Sequence, residues 1–174
     1  MEESSSLPSA RSIGMKYGLI LGVISIGFTI VIDMMGLVGN QAIQYGSLII
    51  SAGIVFLAHK EFKDTGDGFM NYGEGFSVGA WTSVISALLS SVFLYIYITM
   101  INPGYLDVIK EQQVIALEER GMSDAEIDQA LEVASFFTKP EMITLFGLLG
   151  GVFFGIIVAL IISAFTKNSR PELS

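Results

Sequence analysis

Four long apolar segments constrain this chain more than any other feature of its sequence. They contain no charged side chain except Asp33, and they cover residues 17–37, 42–58, 76–101 and 142–165. An α-helix rises about 1.5 Å per residue, so about 20 residues cross the hydrocarbon core of a bilayer. The sequence therefore predicts four transmembrane helices. The second is close to the shortest possible span, and the third is long enough to tilt.

The scarcity of charge in the whole chain agrees with a membrane protein. Only 15% of the 174 residues are charged, against about 25% in soluble domains, so too few polar residues remain to cover four buried apolar helices. The predicted fold is all-α, a four-helix transmembrane bundle that forms a single integral membrane domain, and a soluble enzyme is excluded. The net charge of −8 argues against nucleic-acid binding, which needs a basic surface. A chain without cysteine has neither a disulfide nor a cysteine-based metal site.

The distribution of lysine and arginine predicts the orientation. With four spans, both termini lie on one side of the membrane, together with the loop between the second and third spans. That side holds Arg11, Lys16, Lys60, Lys63, Lys167 and Arg170, and the opposite side holds Lys110, Arg120 and Lys139. Because cytoplasmic segments carry the excess of Lys and Arg, we expect cytoplasmic tails at residues 1–16 and 166–174. Residues 102–139 are then extracytoplasmic.

Small residues recur at a spacing of four in three of the apolar segments. Such stripes let membrane helices approach closely, because lipid tails offer no hydrophobic force to drive helices together. The sequence therefore predicts tight packing within the chain, with a homodimer contact on one stripe as the alternative. The stripes are Gly14, Gly18 and Gly22 in the first segment, Gly75, Gly79, Ser83, Ala87 and Ser91 in the third, and Gly147, Gly151, Gly155, Ala159 and Ser163 in the fourth.

The segment between the third and fourth spans is predicted to form an acidic, amphipathic helical hairpin. Asn102 and Pro103 are typical of the cap and first position of a helix. Ser123 followed by Glu126 is typical of a capping box that begins a second helix. We expect the hairpin to pack over the outer end of the bundle, with docking on a protein partner as the alternative. The apolar positions of the second helix keep helical spacing and are Ile127, Ala130, Leu131, Ala134 and Phe137.

Ionisable residues offer few candidates for chemistry. Transport pathways usually place charged side chains deep in the membrane, and the deep positions here are uncharged. Asp33, near the outer end of its span, is the best single candidate for a functional residue. Glu74 and Glu141 lie near predicted helix starts, where the helix dipole favours a carboxylate. His59, the only histidine, is expected to meet the lipid headgroups at the inner end of the second span.

No catalytic, cofactor-binding or metal-binding residue is predicted, and no cofactor. Residues 64–68 contain two aspartates and two glycines, but the ligand spacing and closing glutamate of a calcium loop are absent. These residues are typical of a turn.

The chain also resembles a known family. The residues that carry the resemblance are 62–64, 72–79, 101–103, 121–127 and 155–164. In this order and spacing they resemble the DUF4199 family, four-span bacterial membrane proteins under a domain-of-unknown-function label. The likeness covers nearly the whole chain, although Asn102 stands where the family often has aspartate. The resemblance implies a Gram-negative inner membrane and supplies no activity, substrate or catalytic residue.

The leading functional prediction is a non-enzymatic interaction or structural subunit, because helix-packing grooves are conspicuous and acid–base pairs are not evident. The expected partners are the lipid bilayer and either another membrane protein or a second copy bound through a small-residue stripe. The alternative is a small oligomeric transporter or channel. In that case Asp33 and the face formed by Ser83, Ser86 and Ser90 would line a path.

Overall fold

The computed structural model describes residues 9–170, and within that range the chain is helical apart from its connections. An isolated antiparallel bridge joins Met70 to Asn168. The helices are α1 (Ala10–Met34), α2 (Gln41–Thr65), α3 (Tyr72–Ile96, continued by a π-helical turn at Tyr97–Ile101), α4 (Tyr105–Glu118), α5 (Asp124–Ala134) and α6 (Pro140–Thr166). The all-α prediction is confirmed.

The inner end of the helices is named here as the end at which α1 begins and α6 ends, and the opposite end is named the outer end. The long helices extend beyond the uncharged segments at their inner ends. α1 begins at Ala10, so residues 10–16 of the predicted tail are helical, and α2 continues through a charged stretch to Thr65. Charge ends an apolar segment but not a helix, because Lys, Arg and Glu are good helix formers. The predicted tails at residues 1–8 and 171–174 lie outside the described residues.

Within the described residues, three helices are long and apolar enough to cross a membrane: Ala10–Met34, Tyr72–Ile101 and Pro140–Thr166. α2 is as long as α1 but does not meet the same criterion. Its uncharged segment, residues 42–58, is the shortest of the four predicted spans. By length and composition, three of the four predicted spans are thus candidate membrane spans.

The small-residue stripes pack against neighbouring helices inside the chain. On α1, a Cβ added to Gly14 would lie 2.5 Å from Trp81 Cβ, and one added to Gly18 would lie 2.7 Å from Ile85 Cβ. The contacts advance in the same direction along α1 and α3, so these two helices are parallel. The closeness leaves no room for a methyl group, which confirms the predicted intramolecular packing.

α6 packs antiparallel on another side of α3. A Cβ on Gly79 would lie 2.6 Å from Ala159 Cβ, while Gly75 faces Ser163 and Gly155 faces Ser83. Two stripes therefore meet directly. α2 contacts α1, α3 and α6, but less extensively than α3 contacts α1 or α6.

The outer hairpin begins later than the sequence predicts. α4 starts at Tyr105 with Gly104 as its cap, so the prediction of Asn102 as cap and Pro103 as first helical residue is wrong. The Asn102 side chain donates to Asp33 instead, and its carbonyl accepts the Tyr105 N–H at 3.1 Å. A bond between residues distant in sequence thus replaces the local cap.

The start of α5 agrees with the sequence. The Ser123 and Glu126 capping box is present, and the Ser123 N–H donates to the Glu126 carboxylate at 2.8 Å. Ile127 is buried. The Phe137 ring lies 5.6 Å from the Phe146 ring of α6, so the end of the hairpin touches the outer end of α6.

Candidate functional site

A central cavity of about 880 Å³ lies between α1, α2, α3 and α6. Each of these helices contributes to its wall, and the serine and threonine side chains of the wall come from three of them. Those side chains are Ser25 and Thr29 of α1, Ser47 and Ser51 of α2, and Ser83, Ser86, Ser90 and Ser91 of α3. α6 contributes Gly147, Gly150, Gly151 and Gly155, and among these four glycines only Gly150 has no neighbouring atom within 4 Å of an added Cβ.

The hydroxyls on α3 divide into bonded and unbonded groups. Thr82 and Ser83 donate to the carbonyls of Val78 and Gly79 at 2.9 Å, the usual arrangement for a hydroxyl in a helix. Within the described residues, Ser86, Ser90 and Ser91 have no hydrogen-bond partner. Ser86 and Ser91 are buried, and the Ser90 hydroxyl oxygen is fully buried. The cavity wall therefore holds hydroxyls whose bonding capacity is unused.

The cavity wall, as far as the structure describes it, contains no charged side chain. Its remaining surface is mainly aliphatic and aromatic and includes Leu21, Phe28, Leu48, Leu94 and Phe154. A wall of this composition can accept hydrogen-bonding groups but cannot neutralise a buried ion. Its chemistry suits the binding of an uncharged molecule.

Asp33 lies outside this cavity and holds the outer end of the protein together. Its Oδ2 accepts hydrogen bonds from the Tyr97 hydroxyl at 2.5 Å and from the Asn102 side-chain amide at 2.8 Å. Tyr97 belongs to the π-helical turn that ends α3. π-helical turns are rare overall, and those that occur are often found at functional sites. Asp33 thus joins the end of α1 to the π-helical turn at the end of α3.

Tyr105 connects this network to the cavity. Its ring packs edge-on to the Tyr97 ring, with the centroids 5.9 Å apart. Tyr105 lines the central cavity and also a second cavity of about 370 Å³ beside Val38, Gly39 and Gln112. Burial raises the pKa of the Tyr105 hydroxyl, and the nearby Asp33 charge raises it further. Tyr105 is therefore a neutral hydrogen-bonding group at the outer end of the cavity.

His59 is buried at the inner end, and the expectation that it meets lipid headgroups is wrong. Its exposure is 0%. Its Nε2 lies 2.8 Å from the Gly75 carbonyl, and its Nδ1 lies 2.8 Å from Thr166 Oγ1. The imidazole thereby links α2 to α3 and α6. These partners lie 16 and 107 residues away in sequence, so no local pattern identifies them.

Ion pairs cluster at the same inner end. Lys16 of α1 contacts Glu61 of α2 at 2.7 Å, and Arg170 contacts Asp67 at 2.6 Å and Glu74 at 3.6 Å. The hydrogen bond from Arg170 holds the pKa of the Asp67 carboxyl below its usual value. All of these groups are at least partly exposed, so their net contribution to stability is small.

The acidic residues at helix starts occupy the predicted positions. Glu74 completes a capping box with Asn71 at the start of α3, and Glu141 lies in the first turn of α6. Ser83, Ser86 and Ser90 line the cavity together, whereas Asp33 does not join them. The sequence predicts that these serines share a face, but it predicts neither the size of the cavity nor the unbonded state of the Ser90 hydroxyl.

Comparison with known proteins finds one family. The family model described as "Protein of unknown function (DUF4199)" matches residues 16–168. No curated protein matches, and no solved structure matches.

Proposed function

This chain belongs to the DUF4199 family, whose description assigns no function, and we propose a role from its own structure. It is a four-helix transmembrane bundle of a bacterial inner membrane, with both termini cytoplasmic. It acts as a non-enzymatic interaction or structural subunit. The three long apolar helices are consistent with a multi-pass membrane protein.

The position of α2 supports a fourth span. Gly79 of α3 faces both Val55 of α2 and Ala159 of α6, and His59 is bonded to the start of α3 and the end of α6. α2 therefore runs antiparallel to α3 where these residues meet. A helix so placed beside two spans crosses the same layer as they do.

An exposed apolar patch on the hairpin carries the interaction role. It consists of Val133 of α5 and of Phe136 and Phe137 in the turn that follows α5, on the proposed extracytoplasmic side. Their exposures are 73%, 49% and 50%. Contiguous exposed apolar patches mark interaction surfaces, and aromatic residues are enriched in the centres of such surfaces. The patch is thus suited to contact another membrane protein or a second copy of the chain.

Photo-crosslinking in cell membranes tests the interaction role. A photoreactive amino acid at Val133 is expected to give a reproducible protein adduct. The same amino acid at Glu118, an exposed residue of α4, serves as the matched control and should give none. Adducts with lipid alone would contradict the role and would instead assign the patch to the membrane interface, where aromatic residues are also common. Equal protein adducts at both positions would also contradict it.

The central cavity favours a second candidate, a small oligomeric transporter or channel. Ser83, Ser86 and Ser90 lie in its wall and offer hydroxyls to a solute. A flux assay in proteoliposomes distinguishes the candidates. Loss of a measured flux in Ser86→Val, with unchanged folding, would favour transport over the subunit role.

A further inference from the structure

The unbonded serines of the central cavity indicate a ligand. A hydroxyl in a membrane helix can donate to the carbonyl four residues earlier, as Ser83 does. Ser86, Ser90 and Ser91 make no such bond. A buried polar group without a partner is unfavourable, and the Ser90 hydroxyl oxygen is fully buried without one. An oxygen atom placed in the cavity would provide the missing partner.

The Ser90 hydroxyl needs only a small movement to reach such an oxygen. Its oxygen is buried against the protein, while the residue itself lines the cavity. Rotation about a single side-chain bond moves a serine hydroxyl between staggered positions. Ser86 and Ser90 lie four residues apart and therefore on one face of α3.

The rest of the wall defines the ligand further. Within the described residues no Asp, Glu, Lys, Arg or His side chain lines the cavity. A charged group inside it would be uncompensated and strongly disfavoured. Most of the lining is aliphatic or aromatic, which is typical of sites that bury an apolar ligand body with a few polar contacts.

The rim of the cavity faces the surroundings of the helices rather than a closed interior. Tyr45, Leu48 and Phe154 line the cavity and are also exposed, by 65%, 39% and 55%. On a transmembrane helix such exposed apolar faces contact lipid. The looser contacts of α2 give the cavity this side opening. A ligand thus enters from the bilayer, and a volume of about 880 Å³ is ample for it.

We propose that the central cavity binds an uncharged, lipid-like molecule through a hydroxyl or carbonyl oxygen, which contacts Ser86 and Ser90. The apolar body of the molecule lies along α6, where Gly150 leaves space. The site does not depend on the hairpin having a protein partner. It also does not require that the bound molecule crosses the membrane.

Three photoreactive probes of equal chain length test the proposal. They are a diazirine-bearing hexadecanol, the corresponding hydrocarbon and the corresponding trimethylammonium compound, each added to the full chain in nanodiscs. The alcohol is expected to label the cavity wall at the lowest concentration. Ser86→Ala combined with Ser90→Ala should raise the half-saturating alcohol concentration about fivefold to a hundredfold, the effect of losing two hydrogen bonds. Labelling by the hydrocarbon should not change.

A cavity-filling variant keeps the test independent of the serines. Gly150 lines the cavity and has open space around it, so Gly150→Leu should fold and should abolish labelling by the alcohol. Gly27→Leu is the matched control, because Gly27 is equally open and does not line the cavity. Equal labelling by all three probes, labelling by none, or unchanged labelling in Gly150→Leu would overturn the proposal.

Discussion

Replacement of Gly18 by alanine should destabilise the protein by separating α1 from α3. The added Cβ would lie 2.7 Å from Ile85 Cβ and 2.9 Å from the Thr82 carbonyl oxygen. Carbon atoms in contact lie about 3.5–4.0 Å apart, so the two helices must move apart locally by roughly 1 Å. The Thr82 oxygen belongs to the helix backbone and cannot move aside alone.

The size of this effect follows from the strain of overpacking. Extra methyl groups in a closely packed interior cost about 1–3 kcal/mol. Because the clash in Gly18→Ala includes backbone, we expect the free energy of unfolding to fall by about 2 kcal/mol relative to the control below. Gly27→Ala in the same helix is that control, since Gly27 has nothing within 4 Å. Both variants gain the same helix propensity, so their difference isolates packing.

Reversible unfolding in mixed micelles, followed by tryptophan fluorescence, measures both variants. Trp81 is the only tryptophan and lies at the interface between α1 and α3, opposite Gly14. Its emission therefore reports on the contact that Gly18→Ala disturbs. Equal stability of the Gly18→Ala and Gly27→Ala proteins would refute the packing of the first stripe against α3.

Three further predictions concern single side chains. Asp33→Asn should weaken the bonds from Tyr97 and Asn102 by about 1–2 kcal/mol. Hydrogen exchange should then become faster at residues 102–107, whereas unchanged exchange would contradict the role of Asp33. His59→Leu should lower the free energy of unfolding by about 2–3 kcal/mol. The control Lys60→Ala should lower it by less than about 0.5 kcal/mol. Similar losses in the two variants would refute the stabilising role of the buried His59 hydrogen bonds. Hydrogen bonds from Ser123 lower the pKa of Glu126. The start of α5 is therefore most stable at a pH above the ordinary pKa of Glu, and it loses that stability as the pH falls through the lowered pKa. The NMR shift of the Ser123 amide should show this step and Glu126→Gln should remove it; a step that persists in the variant would assign it to another group.

Local sequence rules predict the parts of the fold that depend on near neighbours. A spacing of four on Gly14, Gly18 and Gly22 is enough to predict a close helix contact, because residues four apart share one face. The capping box of Ser123 and Glu126 is likewise a local pattern. The similar box of Asn71 and Glu74 was predicted only as a charge near a helix start.

The predictions from sequence are wrong where a side chain bonds to residues that are distant in the sequence. Asn102 is a plausible helix cap until Asp33, 69 residues away, takes its side chain. His59 is a plausible headgroup contact until Thr166 and Gly75 enclose it. The cavity depends on the space left between α2 and its neighbours. The volume between helices has no signature in the residues of any one of them.

The number of spans is tested most directly by cysteine accessibility, since the native chain contains no cysteine. Met35→Cys and Asp64→Cys place single thiols in exposed positions near the two ends of α2. In sealed vesicles of known orientation, a membrane-impermeant maleimide should label them from opposite sides, with Asp64→Cys on the cytoplasmic side. Labelling of both variants from the same side would contradict a four-span protein.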